Sequence, residues 1–256
     1  WESLDGDVLF EEFLDNKNAF PDQEQNQAKE VRKALTALKR SAGTGHPTPF
    51  YALLLMDGDN LGQFMADGDK QDRITQGLAQ FTGAVPEIVK RHSGFPIYAG
   101  GDDVLALLPL EDALPCAAEL RRKYQQAFEN SDDIPTTLSG AVIYAHVRTP
   151  LTRVIGEAHP LLDDVAKEAT GRDALAVQVR KPSGVTAQWA MPWEAALENG
   201  EVQLQHLADQ LGEEEGDAPF ASRFFYALRE RFDLLNPQDG DRVAADTLFR
   251  EQAGSG

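Results

Sequence analysis

The chain has 256 residues, and its 24 basic against 42 acidic side chains give a formal net charge of −18. Its single cysteine, Cys116, excludes an internal disulfide and a cysteine-cluster zinc site, and the lack of an apolar run of roughly 18 residues predicts a cytoplasmic protein without a membrane partner. Because the sequence lacks the basic stripe of a protein that grips nucleic acid by itself, phosphates would have to be held locally through metal ions.

The first predicted elements are an amphipathic helix and a buried strand. Apolar residues recur at helical spacing over residues 26–40, and a Gly- and Pro-containing linker follows over residues 41–49. Residues 50–56 form an apolar run, and the polar segment Asp-Gly-Asp-Asn follows it at residues 57–60. This pattern is typical of a buried strand with polar residues at its carboxyl end.

A helix and a hairpin are predicted next. The helix covers residues 71–92, and Pro86 is expected to kink or divide it. Two short apolar strands at residues 95–99 and 104–108 are separated only by the Gly-Gly-Asp-Asp segment 100–103. They predict a tight hairpin in which the glycines supply positive φ.

The following segments complete a recognisable order of strands and helices. A helix over residues 111–128, a strand over 137–145, a helix over 151–170 and strands over 173–180 and 185–189 are predicted. The order is βαββαβ with an additional αβ unit. It predicts an α+β, ferredoxin-like palm with a mostly antiparallel sheet and helices on one face.

The C-terminal part is predicted to be helical. Helical segments are expected at residues 201–211, 219–235 and 241–253. The sequence therefore predicts three regions: a helical lead-in and linker (1–46), a palm domain (47–193) and a helical C-terminal domain (194–256).

Three acidic residues follow the predicted strands. Asp57 ends the first strand, and Asp102 and Asp103 lie on the hairpin turn beside it in the predicted sheet. Clustered carboxylates repel one another, and hard cations such as Mg²⁺ or Mn²⁺ relieve that repulsion. The pattern predicts a two-metal nucleotidyltransferase site, although Gly and Asp are also common in ordinary turns. A calcium loop starting at Asp57 is excluded, because Gly68 stands where a bidentate glutamate is needed.

Several motifs together resemble the large subunit of type III CRISPR effector complexes, the subunit that makes cyclic oligoadenylates, and most of all its type III-B form. They are the segments 55–62 (Leu-Met-Asp-Gly-Asp-Asn-Leu-Gly), 98–109 around the Gly-Gly-Asp-Asp turn, 139–146, 148–151, 166–174 and 191–193. The resemblance covers residues 50–193. It implies a C-terminal fragment of that subunit, comprising a second palm of the nucleotidyl cyclase or polymerase type and a helical domain.

The resemblance also implies a substrate, cofactors and partners. ATP would be the substrate, and Asp57, Asp102 and Asp103 would hold two Mg²⁺ or Mn²⁺ ions. Lys167 would contact the triphosphate, and Thr75 stands where the family has a serine that contacts adenine. Other subunits of the complex, its guide RNA and its target RNA would be the partners. The remaining residues placed beside the substrate are Gly100, Gly101 and Asn60.

Five other features are interpreted from their surroundings. Asp59 is expected either to shape the turn or to join the site, and His146 to pack within its strand. The segment 121–123 (Arg-Arg-Lys) is interpreted as a solvated helix face. Trp189 and Trp193 are expected to pack the C-terminal tail against the palm.

Two other functions stay open. One is a subunit that binds nucleotide without turnover and acts as a scaffold. The other is a stand-alone cyclic dinucleotide cyclase of the diguanylate type, because Ala166-Lys167 and Gly171-Arg172 are similar to a signature of those enzymes. The turn favours this second alternative less, since it is Gly-Gly-Asp-Asp where those enzymes have Gly-Gly-Asp/Glu-Glu-Phe.

Overall fold

The computed structural model describes residues 14–15, 24–42, 48–131 and 133–202. The chain divides into two compact units, residues 1–195 and 196–256. The predicted domain boundaries stay predictions. The helices predicted at residues 219–235 and 241–253, and residues 203–211 of the helix predicted at 201–211, lie outside the described residues.

Six strands and five complete α-helices lie among the described residues up to Ala196. The strands are β1 (Phe50–Asp59), β2 (Phe95–Gly100), β3 (Asp103–Leu108), β4 (Thr137–His146), β5 (Ala174–Lys181) and β6 (Gly184–Pro192). The helices are α1 (Gln25–Ala42), α2 (Gly68–Arg91), α3 (Leu110–Ala127), α4 (Leu151–Pro160) and α5 (Trp193–Ala196). A 3₁₀ turn (Leu61–Gln63) follows β1, and a π-helical segment (Leu161–Ala169) continues α4 directly.

The six strands form one sheet in the order β2-β3-β1-β4-β5-β6. Every neighbouring pair is antiparallel except β4 and β5, which are parallel. The first four strands have the order and directions of a ferredoxin-like βαββαβ unit, and β5 and β6 extend it. The predicted α+β palm fold is confirmed.

Helices pack on both faces of this sheet, so the prediction of helices on one face was wrong. Leu53 and Leu55 of β1 lie in a core cluster with residues of α4 and the π-helical segment. Gly58, on the opposite face of the same strand, lies beside the Tyr124 hydroxyl of α3. The physical reason is that β1 and β4 are apolar on both faces, and each face must be covered.

Helix α2 continues through Pro86 without interruption, against the prediction that this residue would kink or divide it. Proline in a helix interior removes one hydrogen bond and costs about 3 kcal/mol. The neighbouring side chains Phe81, Val85 and Val89 are fully buried. Burial of such side chains stabilises by roughly 1.5–3 kcal/mol each, which offsets that cost.

The second unit begins with a hairpin where a helix was predicted from residue 201. Strand β7 (Leu197–Glu198) pairs with β8 (Glu201–Val202). Asn199 and Gly200 between them both have positive φ, 54° and 86°. Asn-Gly is the preferred sequence for a two-residue hairpin turn, and this local preference outweighed the helical spacing at residues 201–202. Among the described residues, no helix is both long and apolar enough to span a membrane.

Candidate metal and nucleotide site

Three carboxylates come together at one end of the sheet. Asp57 lies near the end of β1, Asp102 in the β2–β3 turn and Asp103 at the start of β3. The antiparallel pairing of Met56 with Val104 makes these positions neighbours. One carboxylate oxygen from each residue lies within 4.8 Å of the others. The structure thus brings together residues that are 45 positions apart in the chain (102 minus 57).

The hairpin turn that carries two of these acids is short and anchored. Gly100 pairs with Asp103, which leaves a two-residue loop. Only Gly101 has positive φ (64°), so the prediction that both glycines would supply it was wrong for Gly100, which is part of β2. The Thr82 hydroxyl of α2 donates to the Gly101 carbonyl at 2.7 Å. A threonine within a helix carries no local signal of this contact, and the sequence did not reveal it.

Gly58 allows Asp102 to lie directly against β1. A Cβ atom at residue 58 would be 2.5 Å from Oδ2 and 2.7 Å from Cβ of Asp102, and 2.8 Å from the Tyr124 hydroxyl. Real Cβ atoms do not approach neighbours that closely, so a larger residue would displace Asp102. The glycine in the Asp-Gly-Asp segment therefore has a steric role that the sequence analysis did not assign.

The three acids repel one another. Burial raises the pKa of Asp103 to about 6, and its hydrogen bond with Asp57 and the charges of Asp57 and Asp102 act in the same direction. Burial, and then the negative charge of Asp57, also raises the pKa of Asp102. A divalent cation among these oxygens would remove the repulsion. Hard carboxylate oxygens are the donors that Mg²⁺ and Mn²⁺ prefer, so these residues fit such an ion.

Lys167 extends into the cluster from the face of the sheet that α4 and the π-helical segment cover, where Leu53 and Leu55 of β1 also lie. It lies on the π-helical segment, its side chain is only 12% exposed, and its ammonium forms an ion pair with Asp57 Oδ2. π-Helical turns occur frequently at functional sites. Lys167 therefore lies at the site, where Asp57 is its ion-pair partner among the described residues.

The structure places the other predicted substrate residues as follows. Thr75 lies exposed on α2, and its hydroxyl donates to the Gln71 carbonyl of the same helix at 2.8 Å. Asn60 is exposed with φ 67°, a left-handed conformation that asparagine tolerates, and it precedes the 3₁₀ turn. Substrate contacts by Thr75, Asn60, Gly100 and Gly101 stay predictions.

His146 and Arg121 were interpreted from the sequence with different success. His146 packs edge-to-face on Phe50 with ring centroids 5.1 Å apart, at the end of β1 and β4 away from the acids. Arg121 does not lie on a solvated face, because it forms a two-bond ion pair with Asp173 at 2.8 and 2.7 Å.

Trp193 is fully buried, and its indole N–H donates to the Leu138 carbonyl at 2.9 Å. This contact lies within the first unit.

A βαββαβ sheet with carboxylates clustered at the β2–β3 hairpin and the end of the neighbouring strand β1 defines a palm-type domain. Residues 50–176 match the family model described as Cas10/Cmr2, second palm domain. The chain belongs to this Cas10/Cmr2 family of type III large subunits, which confirms the resemblance given by the sequence motifs.

Two curated relatives and one solved structure document the similarity. The chain is 32% identical to "CRISPR system Cmr subunit Cmr2" of Pyrococcus furiosus over 239 residues, which is 81% of this chain and 26% of that protein. It is 23% identical to "CRISPR system single-strand-specific deoxyribonuclease Cas10/Csm1 (subtype III-A)" of Mycobacterium tuberculosis, covering 77% of this chain and 26% of the relative. The chain thus spans about a quarter of the length of each.

The solved structure titled "Type III-B Cmr-beta Cryo-EM structure of the Apo state" shares the fold. Its TM-score is 0.54 at 16% identity, and the alignment covers 83% of this chain and 35% of the other. The similarity shows that the two chains share this fold.

Proposed function

We propose that this palm binds ATP together with Mg²⁺ or Mn²⁺ and takes part in joining adenylates into cyclic oligoadenylates within a type III CRISPR effector complex. The observation that carries the proposal is the convergence of three carboxylates, one oxygen of each within 4.8 Å of the others, at the hairpin of a Cas10/Cmr2 second palm. The raised pKa of Asp103 agrees with it, because mutual repulsion favours a bound cation.

The roles of the individual residues follow from their positions. Asp57, Asp102 and Asp103 hold the metal ions, which when bound neutralise the triphosphate and lower the pKa of an attacking hydroxyl. Lys167, already inside the cluster, supplies a positive point charge for the triphosphate once a metal takes its place at Asp57. Gly101 has a positive φ and no side chain, so the nucleotide can approach the backbone of the turn.

The proposed partners are those of the relatives. The curated relatives are described as a Cmr subunit and as a Cas10/Csm1 protein of subtype III-A. We infer that this chain acts beside other subunits of such a complex and responds to its guide RNA and target RNA. The net charge of −18 agrees with RNA being held mainly by partner subunits.

The proposal is tested by product analysis with ATP and, in parallel, with GTP. Linking two adenylates needs two nucleotides held in line, and positioning them supplies most of the catalysis. We expect this chain alone to bind about one ATP and to form little product. Adding a first palm from a full-length relative should give cyclic oligoadenylate, and the Asp102→Ala, Asp103→Ala double variant should abolish it.

Four outcomes would change parts of this proposal. Cyclic diguanylate made from GTP would instead favour the stand-alone cyclase. Tight ATP binding with no product, even beside a first palm, would favour the scaffold. Abundant oligoadenylate from the monomeric chain alone would refute the need for two palms, and product formed only at high protein concentration would indicate a homodimer.

A further inference from the structure

Asp59 is a buried carboxylate two residues beyond Asp57 on the same strand face. Its exposed fraction is 1%. Oδ2 accepts hydrogen bonds from the Thr137 hydroxyl at 2.7 Å, the Ser139 hydroxyl at 2.8 Å and the Asp173 backbone N–H at 3.1 Å. Ser139 also lies 3.1 Å from Oδ1. One side chain therefore joins the end of β1 to β4 and to the turn before β5.

The hydrogen bonds of Asp59 are those of a structural carboxylate. Oδ2 already accepts three hydrogen bonds, the Ser139 hydroxyl also lies against Oδ1, and the group is closed to solvent. Among the described residues, the acids that could share an ion are Asp57, Asp102 and Asp103, and Asp59 is not one of them. The negative charge of Asp59 is instead balanced by donors from its own fold.

The turn that Asp59 holds is conformationally unusual. Gly171, Arg172 and Asp173 have φ values of 99°, 68° and 42°, three consecutive residues in the left-handed region. Such a conformation persists only where the surroundings fix it. The Asp173 N–H donates to Asp59, its carboxylate pairs with Arg121, and its carbonyl accepts from the Trp193 backbone N–H at 2.8 Å.

This turn ends the π-helical segment that carries Lys167. The Arg172 N–H donates to the Ala166 carbonyl at 3.3 Å, so the turn folds back onto the residue before Lys167. Asp59 is thus part of the strand that presents Asp57, and its side chain is hydrogen-bonded to the turn that follows Lys167. Ser139, which it also holds, is the register partner of Asp57 on β4.

We propose that Asp59 is a positioning residue, which sets the distance between Asp57 and Lys167 by acting as a hydrogen-bond acceptor and without contacting metal. The inference rests on the proposed metal site and adds a residue to its supporting structure. Only its acceptor oxygen is required. Asparagine can keep that oxygen at the Oδ2 position and accept the same three bonds, whereas alanine cannot.

The test is calorimetric binding of ATP with Mn²⁺ to the whole chain, with thermal unfolding of the same samples. Asp59→Asn should keep the dissociation constant for ATP with Mn²⁺ within about threefold of the parent, because the acceptor is retained and only a buried charge is lost. Asp59→Ala should weaken this binding by more than about tenfold, because Asp57 and Lys167 both lose their positions. Asp57→Asn is the reference for loss of a true ligand, and it should weaken binding to a similar degree without lowering the unfolding temperature.

The outcomes separate this inference from the proposed function. If the parent does not bind ATP with Mn²⁺, or Asp57→Asn leaves binding unchanged, the metal site itself is wrong. If Asp57→Asn loses binding and Asp59→Asn loses as much, Asp59 is a ligand and the inference is overturned. Unchanged binding in Asp59→Ala would also overturn it. If Asp59→Ala does not fold, Arg121→Gln, which releases Asp173 from the other side, should show the same loss of affinity, and normal affinity there would contradict the proposal.

Discussion

Lys167 forms an ion pair with Asp57, a residue 110 positions earlier in the chain, inside a cluster of three carboxylates. The ammonium comes from a π-helical segment on one face of the sheet, and the carboxylate from the end of the central strand β1. In the metal-free protein Lys167 therefore occupies an oxygen that a divalent cation would use. Metal binding and release of this lysine must be coupled.

Replacing Lys167 by methionine tests that coupling. Without the competing ammonium, Mn²⁺ alone should bind several-fold more tightly, while affinity for ATP with Mn²⁺ should fall about tenfold, or ~1.4 kcal/mol. Calorimetry measures both affinities. Lys181→Met is a matched control, because this substitution removes the same charge from an exposed position at the end of β5. Weaker Mn²⁺ binding in Lys167→Met would contradict the competition.

The raised pKa of Asp103 predicts a pH dependence. A metal ion must displace the proton from this carboxyl, so Mn²⁺ affinity should rise from pH 5 to pH 7 and change little above it. Stability of the metal-free protein should follow the opposite trend. Between the ordinary pKa of 3.8 and about 6 the folded state holds more protons than the unfolded state, so stability falls as pH rises through that range. In Asp103→Asn both slopes should become shallower, and unchanged slopes would assign them to another group.

Gly58 and Gly62 provide a matched pair for testing the close packing of Asp102. In Gly58→Ala the new methyl group would lie 2.5 Å from Asp102 Oδ2, so the turn must shift and Mn²⁺ affinity should fall. Gly62→Ala meets no atom within 4 Å and should bind Mn²⁺ normally. We expect a difference of at least about tenfold between the two variants, because misplaced ligands lose most of their coordination. Equal affinities would show that Asp102 is not required at its present position.

The double variant Asp102→Ala, Asp103→Ala separates a metal site from a structural turn. Removing two repelling carboxylates should leave the metal-free unfolding temperature unchanged or slightly raised. The increase in unfolding temperature on adding Mn²⁺ should disappear. Asp72→Ala with Glu87→Ala removes two exposed charges from α2 and should retain that increase. If the Asp102→Ala, Asp103→Ala variant does not fold, the turn has a structural role.

Much of the fold was predictable because the strands are regular and apolar. The apolar run at residues 50–56 and the hairpin around Gly101 gave the strand order and therefore the meeting of Asp57 with Asp102 and Asp103. The element boundaries differ mainly at polar ends. Strand β1 continues to Asp59, because hydrogen bonds from Thr137 and Ser139 hold its last residues in the sheet.

The contacts that support the site could not be predicted from local patterns. The bond from Thr82 to Gly101, the ion pair of Arg121 with Asp173 and the burial of Asp59 each depend on residues brought together by the sheet. Arg121 shows the difficulty clearly. A basic run on a helix normally faces water, and only the position of Asp173 in the turn before β5 decides otherwise.

The central claim is that the acidic cluster binds ATP through a divalent metal, and calorimetry with ATP in Mn²⁺ and in EDTA tests it most directly. The cluster alone repels a triphosphate, so we expect about one ATP per chain with Mn²⁺ and at least about a hundredfold weaker binding in EDTA. Asp57→Asn should lose the metal-dependent part. Equal ATP affinity with and without metal, or normal metal-dependent binding in Asp57→Asn, would contradict the account.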